Sequence, residues 1–221
     1  MTGDAPRVVL VWDGPTRLFH WLISPLMAAA YVTWRLNWMD WHAWVGEALL
    51  ALLIFRLLWG FVGSESARFS TFLVSPRAVM RYLATIMRRE PDNQAGHNPA
   101  GGWMVLLMLV LLLGETLSGL YVANDVADVG PLTDLTPAPI ANAITHLHLL
   151  LWDALLVAAS LHILAILFYA WAKGHNLVLP MLTGRKNLPE SVPQPRIGDL
   201  ARAVFCFVLS GIATAALANF L

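Results

Sequence analysis

Residues 147–172 read LHLLLWDALLVAASLHILAILFYAWA. This run exceeds the roughly 20 apolar residues that an α-helix needs to cross a bilayer, so it predicts a membrane-spanning helix. His148 and His162 lie 14 positions apart in it, which on a helix places both rings on one face, roughly 21 Å apart along the axis. Because polar side chains in lipid usually face a bundle interior that satisfies them, the pair indicates two metal centres, one near each membrane surface.

The composition is that of an integral membrane protein. Of the 221 residues, 58% are hydrophobic and 13% are Asp, Glu, Lys or Arg, and the mean hydropathy is +0.63. A soluble domain carries roughly twice this fraction of charged residues. The net charge is zero, so no nucleic acid partner is indicated. The single cysteine, Cys206, excludes an internal disulfide and any zinc or iron–sulfur site built from several cysteines.

Spanning helices are predicted in five segments, which are residues 18–34, 42–62, 102–123, 147–172 and 200–221. Such segments must be helical, because every backbone polar group needs a partner inside lipid. The apolar piece at residues 8–12 is too short for the core of a cleaved signal peptide. We therefore expect the first spanning helix to act as the membrane signal.

The basic residues predict the orientation, since they concentrate in cytoplasmic loops. The second loop carries the arginines Arg68, Arg77, Arg81, Arg88 and Arg89. The third loop has no Lys or Arg but holds Asp125, Asp128 and Asp134. We expect a multi-pass protein of the bacterial inner membrane, with the N-terminus and second loop cytoplasmic and the third loop and C-terminus periplasmic.

An amphipathic helix is predicted within the second loop. Ser75 precedes Pro76 as an N-cap precedes a proline in the first helical turn. Residues 77–89 then alternate arginines with apolar side chains, a pattern typical of a helix lying on the anionic inner leaflet. Membrane lipid is thus an expected partner. Residues 90–102 and 187–195 are polar, contain Pro or Gly, and are predicted to be connectors.

Topology places four histidines at two depths. The second and fourth helices both enter from the periplasmic side, which puts His42 and His148 near that surface. His20 begins the first helix at the cytoplasmic side, and His162 lies toward that side on the fourth. Each pair could hold one heme iron through two imidazoles between antiparallel helices. The expected fold is all-α: an integral membrane four-helix heme-binding bundle plus a fifth C-terminal transmembrane helix.

Each of these four histidines has a structural alternative, because a membrane histidine can simply hydrogen-bond a neighbouring helix. His146 is a rival to His148, but it lies about 160° from the face of His162, and we interpret it as interfacial. His97 and His175 lie in polar segments. Both are interpreted as solvated, with His97 kept as an alternative ligand.

Arg56 follows His42 by 14 residues, so its guanidinium is expected at the level of the cytoplasmic heme. A heme propionate there would supply a bidentate anionic partner. The alternative is a side chain that snorkels toward the cytoplasm. Glu47, Glu115 and Asp153 are also embedded, and the sequence leaves open whether they bind protons or a quinone or are protonated groups bonded across helices.

Several short motifs, taken together, are distinctive of one protein family. They are VWD at residues 11–13, TRLFHW at 16–21, HAWVG at 42–46, FRLLWG at 55–60, GHNP at 96–99, NL at 176–177 and PM at 180–181. With these motifs and the spacing of His148 and His162, the chain resembles the prokaryotic di-heme cytochrome b family, which includes cytochrome b561 and the b-type cytochrome subunit of nickel–iron hydrogenases. The resemblance carries the family's ligands over to the same four histidines. It predicts residues 1–186 as the di-heme four-helix domain and residues 187–221 as a linker and an additional helix.

The resemblance implies transmembrane electron transfer through two heme b groups, between the quinone pool and a periplasmic partner. That partner is a c-type cytochrome or a dehydrogenase or hydrogenase module. The chain has no CxxCH and no flavin or nicotinamide motif, so a second redox partner must come from another subunit. Whether the chain is part of a quinone oxidoreductase, and so of an enzyme, stays open.

Two other function classes compete with this interpretation. A metal-ion transporter would also place His, Glu and Asp inside the membrane. Its ligands are expected to converge on one midplane site, often with broken helices, whereas these histidines separate into two levels. A membrane anchor without redox activity would leave the four embedded histidines unexplained.

Overall fold

The computed structural model of the chain describes residues 6–88, 91–123 and 130–219. The longer helices are α1 (Gly14–Arg35), α2 (Met39–Val62), α5 (Pro99–Gly119), α6 (Ala138–Phe168) and α8 (Leu200–Asn219). Shorter elements are the helices α3 (Phe69–Phe72), α4 (Pro76–Ala84) and α7 (Val178–Thr183) and the strands β1 (Pro6–Leu10) and β2 (Arg185–Pro189). The predicted helical membrane class is confirmed, with a small two-stranded sheet as an addition.

Four helices of the described residues are long and apolar enough to cross a membrane: α2, α5, α6 with the turn that follows it, and α8. The first predicted span also forms a helix, α1, of 22 residues. It is not among those four, because Arg17, His20 and Pro25 make it less apolar. The third and fourth predicted spans begin earlier than predicted, α5 at Pro99 and α6 at Ala138.

The start of α5 has a local cause. Asn98 precedes the helix and its side-chain oxygen accepts the backbone N–H of Gly101 at 2.7 Å, as an N-cap does. Pro99 then occupies the first helical position, where its missing N–H costs nothing. α5 ends at Gly119, whereas the sequence predicted a helix to residue 123.

The chain divides into two compact units, and the first consists of Met1–Leu18, Leu58–Leu106 and Ala159–Ala203. Its sheet pairs β1 and β2 in antiparallel register. Val9 and Leu188, both 0% exposed, pack there with Val11 and Trp12. β2 was predicted in part as a connector, and this prediction was wrong because the pairing strand lies at the other end of the chain. Gly184, just before β2, has a φ of +80°, which only glycine adopts readily.

Other contacts of the first unit tie loops together. The linker before α8 is held by backbone bonds: the Gly198 N–H donates to the Ser64 hydroxyl oxygen at 2.7 Å, and the Arg196 N–H donates to the Glu65 carboxylate at 3.0 Å. The hydroxyl of Tyr82 on α4 hydrogen-bonds the hydroxyl of Tyr169. Tyr169 begins a π-helical turn, Tyr169–Lys173, that ends α6.

The amphipathic helix α4 forms as predicted but is shorter. Ser75 caps it by accepting the Ala78 N–H at 3.4 Å. The helix ends at Ala84 rather than near residue 89, and the C-cap Thr85 donates its backbone N–H and its hydroxyl to the Tyr82 carbonyl, each at 3.1 Å. The predicted member Arg89 lies outside the described residues.

The second unit consists of Phe19–Leu57, Leu107–Ala158 and Val204–Leu221. Leu50, Leu120 and Leu132 form a buried cluster in it. α8 turns a face of small residues inward, since Cys206, Ser210 and Thr214 recur every fourth position and are almost fully buried. Small residues let membrane helices approach closely.

Candidate functional site

The second unit contains a cavity of about 640 Å³, lined by residues of α1, α2, α5 and α6 and by the segment that follows α5. This volume falls in the range of roughly 300–1,000 Å³ that cofactor and ligand sites occupy. His42 of α2 and His148 of α6 both line the cavity. Their ring centroids are 6.4 Å apart, and the ring planes make an angle of 87°. The structure therefore brings together the histidines that depth paired, while their role as ligands stays a prediction.

The His42 ring is oriented by the first helix. Its Nδ1 lies 2.9 Å from the carbonyl oxygen of Ala30 on α1. A carbonyl only accepts hydrogen bonds, so Nδ1 carries the proton and Nε2 keeps its lone pair. The ring is half-buried, and its unprotonated nitrogen is available to a metal.

The His148 ring is oriented by α5 in the same way. Its Nδ1 lies 3.0 Å from the Glu115 carbonyl oxygen and 3.0 Å from the Ser118 hydroxyl oxygen. Ser118 donates its own hydroxyl proton to the Glu115 carbonyl at 2.9 Å, so its oxygen is left to accept from the imidazole. Nδ1 is again the protonated nitrogen and Nε2 the available ligand atom.

These features fit a heme held by two imidazoles. Metal-bound histidines usually donate their second ring N–H to a carbonyl or carboxylate, which fixes the tautomer and the orientation of the ring. His42 and His148 both have this arrangement before any metal is considered. Gly46 lies one turn after His42, lines the cavity, and has open space where a side chain would begin. The cavity wall thus leaves room for a flat macrocycle beside the ligand helix.

The cavity wall carries carboxyl side chains. Asp40, Glu47 and Glu115 line it, and no Lys or Arg does so within the described part of the chain. The Glu115 Oε1 atom lies 3.5 Å from Nε2 of His148, and its Oε2 is buried with no hydrogen-bond partner among the described residues.

The second predicted pair is divided between the units. His20 lies on α1 in the second unit, half-buried, with its ring edge-on to Trp21 at 5.1 Å. His162 lies on α6 in the first unit and is also half-buried. Their pairing around a heme stays a prediction.

Arg56 is buried on α2, with 2% of its surface exposed. Its guanidinium is therefore enclosed by protein, and the snorkelling alternative does not describe it. An anionic partner that accepts its hydrogen bonds strongly stabilises a buried guanidinium. The predicted contact with a heme propionate remains a prediction.

Two histidines predicted as solvated are packed instead. The His97 ring lies between Trp12, at a centroid distance of 4.7 Å, and Phe72, at 4.8 Å. His175 is half-buried, with Nδ1 4.0 Å from a carboxylate oxygen of Asp92. Both predictions were wrong because the polar segments that carry these histidines fold back onto the first unit.

The remaining predicted residues are placed as follows. His146 is exposed and does not line the cavity. Asp153 and Asp134 are exposed, while Asp125 and Asp128 lie outside the described residues. Within the described ranges, no group of three or more His, Cys, Asp or Glu side chains is arranged to hold a metal ion.

Sequence reasoning missed the groups that orient the rings. The group that orients His42 is the backbone carbonyl of Ala30, and no side chain in the sequence marks such a group. Ser118 and Gly119 form a small pair inside the predicted span of residues 102–123, but this pattern is common in membrane helices. Nothing in the spacing alone indicates that these two residues face His148.

Comparison with known proteins gives two matches. Residues 11–184 match the model of a family described as prokaryotic cytochrome b561. A probable Ni/Fe-hydrogenase B-type cytochrome subunit from Rhizobium leguminosarum bv. viciae is 28% identical over 131 residues, covering 48% of this chain and 55% of the relative. The chain thus spans about half the length of this curated relative. No solved structure matches.

Proposed function

The chain belongs to the prokaryotic cytochrome b561 family, and we propose that it carries electrons across the bacterial inner membrane between a quinone pool and a periplasmic redox partner. Family membership supports heme b, transmembrane electron transfer and a multi-pass membrane protein in general terms. The number of hemes, the quinone and the partner belong to the proposal.

The observation that carries the proposal is the pair of pre-oriented imidazoles. His42 and His148 line one cavity, and each has Nδ1 within 3.0 Å of a backbone carbonyl oxygen. These two residues would hold the iron of the first heme through Nε2. The heme supplies the one-electron couple of its iron. The chain keeps the rings oriented and encloses the site within helices.

A second heme is proposed at His20 and His162. Both histidines lie within the matched residues 11–184, and depth pairs them near the other membrane surface. Arg56, with 2% exposure, would pair with a propionate of this heme. Two hemes at opposite depths make a path for electrons across the hydrocarbon core, which a single heme near one surface does not provide.

The charges of the loops support a proposal for the orientation of the chain in the membrane and for the docking site of its redox partner. The basic second loop is proposed to be cytoplasmic and the acidic third loop periplasmic. The similar protein from Rhizobium leguminosarum bv. viciae is named as a cytochrome subunit of a hydrogenase. We propose by analogy that a periplasmic dehydrogenase or hydrogenase module, or a c-type cytochrome, docks on the third loop. The chain would then be the cytochrome subunit of a quinone oxidoreductase.

Sealed vesicles test this function directly. The purified protein is reconstituted into liposomes that enclose ferricyanide, and a short-chain quinol is added outside. Loss of ferricyanide absorbance is expected with the intact protein, because electrons cross through the hemes. Empty liposomes and the His148→Ala variant should show only the slow background. Equal rates with and without protein would contradict the proposal.

A further inference from the structure

The end of α5 forms a cradle around the His148 ring. It consists of the Glu115 carbonyl, the Ser118 hydroxyl and the space at Gly119, which has no side chain. The first two lie 3.0 Å from Nδ1. Ser118 is itself buried, with 7% of its surface exposed, so its hydroxyl makes these bonds away from bulk water.

Both oxygens lie within hydrogen-bond distance of the same ring nitrogen, Nδ1 of His148. A ring N–H that points to one acceptor can still swing about that bond. Here Nδ1 faces two oxygens that are themselves joined, because Ser118 donates to the Glu115 carbonyl at 2.9 Å. Removal of the hydroxyl would leave the carbonyl as the acceptor and free the ring to rotate.

Gly119 lies close to the same edge of the ring, next to Cε1 and Nδ1. A Cβ added at this glycine would lie 3.3 Å from Cε1 of His148 and 3.7 Å from Nδ1. The first distance is shorter than ordinary van der Waals contact. Any larger residue at 119 would therefore push the imidazole away from α5.

We propose that Ser118 is a positioning residue, which holds the His148 imidazole nearly perpendicular to that of His42 for heme ligation. The inference rests on the proposed function, since it assumes that both histidines bind one iron. The ring planes are 87° apart. Perpendicular axial imidazoles give ferric heme a strongly anisotropic low-spin electron paramagnetic resonance (EPR) spectrum, whereas nearly parallel ones give an ordinary rhombic spectrum. Loss of the Ser118 hydroxyl would therefore change the EPR spectrum of one heme.

The test compares EPR spectra of the full-length ferric protein in detergent. In Ser118→Ala the anisotropic signal of the heme at His42 and His148 should move toward a rhombic one, while the signal of the other heme stays unchanged. Loss of an orienting partner also predicts roughly 10- to 100-fold weaker heme retention at this site, measured by transfer to apomyoglobin. Ser118→Thr keeps a hydroxyl and should restore the wild-type spectrum.

Ser210→Ala is the matched control. Ser210 is a buried serine of α8 whose hydroxyl donates to the Phe207 carbonyl at 2.7 Å, and its loss should leave both signals unchanged. Gly119→Ala is a second probe, which should shift the same signal by crowding the ring with Ser118 intact.

The outcomes separate the two proposals. Wild-type protein without heme would overturn the proposed function. Wild-type protein with two hemes, but with the same spectrum in Ser118→Ala, would overturn the role of Ser118. If Ser118→Ala does not fold, an unshifted spectrum in Gly119→Ala overturns the cradle, and a shifted one supports it.

Discussion

Trp59 donates its indole N–H to a carboxylate oxygen of Asp13 at 3.0 Å, and both side chains are buried in the first unit, at 0% and 2% exposure. The other oxygen of Asp13 accepts the Thr16 N–H at 2.6 Å and caps α1. One buried carboxylate thus links the start of α1 to the end of α2.

Replacement of this carboxylate should destabilise the protein. Asp13→Ala leaves the N–H groups of Trp59 and Thr16 without their acceptor, and each buried orphaned donor costs about 1–3 kcal/mol. We expect a clearly lower thermal midpoint for the detergent-solubilised protein, followed by circular dichroism. Asp134→Ala, at an exposed position, is the control. Equal midpoints for the two variants would show that the Asp13 bonds contribute little.

Ligand removal should be selective by heme. His42→Ala and His148→Ala should each lose the heme that these residues share and leave about one heme per chain. His20→Ala and His162→Ala should lose the other heme. Pyridine hemochrome assays count the hemes, and redox titration identifies which one remains.

His146→Ala is the matched control for His148→Ala. Because His146 is exposed and lies outside the cavity, both hemes should remain. Loss of heme in His146→Ala with retention in His148→Ala would assign the ligand to His146 and refute the same-face argument.

The sequence was sufficient for features set by local geometry. A helix turns by about 100° per residue, so the depth and direction of a side chain on one helix can be counted from the sequence. His42 and His148 were predicted to meet because both lie near the same end of their helices. The same count separated His148 from the exposed His146. The N-cap at Ser75 was also predictable, because it depends on neighbouring residues.

Features that join distant segments could not be predicted. Asp13 and Trp59 are 46 positions apart, and β1 pairs with a strand near the other end of the chain. Neither of these contacts leaves a periodic pattern in the sequence. His97 was misinterpreted for the same reason, since only the fold brings Trp12 and Phe72 to its ring. The orientation of His148 by Ser118 depends on how α5 and α6 pack.

The acidic third loop should steer a basic periplasmic partner. Asp134 is exposed, and Asp125 and Asp128 lie outside the described residues. Replacing all three by Asn should slow electron exchange with a basic c-type cytochrome at low salt and flatten its dependence on ionic strength. Glu190→Gln, an exposed carboxylate on the proposed cytoplasmic side, should leave both unchanged. An unaltered salt dependence in the triple variant would make the loop a solvated connector.

We predict that the quinone reacts at the heme nearer the cytoplasm. His97 would transfer the proton that accompanies oxidation or reduction of the quinone. His97→Phe keeps a ring between Trp12 and Phe72 but removes both nitrogens. We expect both hemes to be retained and quinone-dependent re-oxidation of reduced heme to slow in stopped-flow measurements. His175→Phe is the control. Normal re-oxidation in His97→Phe would leave His97 with a packing role and place the quinone site elsewhere.

The heme content of the purified full-length chain tests the central claim most directly. A pyridine hemochrome assay, normalised to protein by amino-acid analysis, should give about two heme b per chain. The dithionite-reduced spectrum should show b-type bands that disappear on oxidation. A colourless protein, or a single heme per chain after expression with excess heme, would contradict the di-heme account.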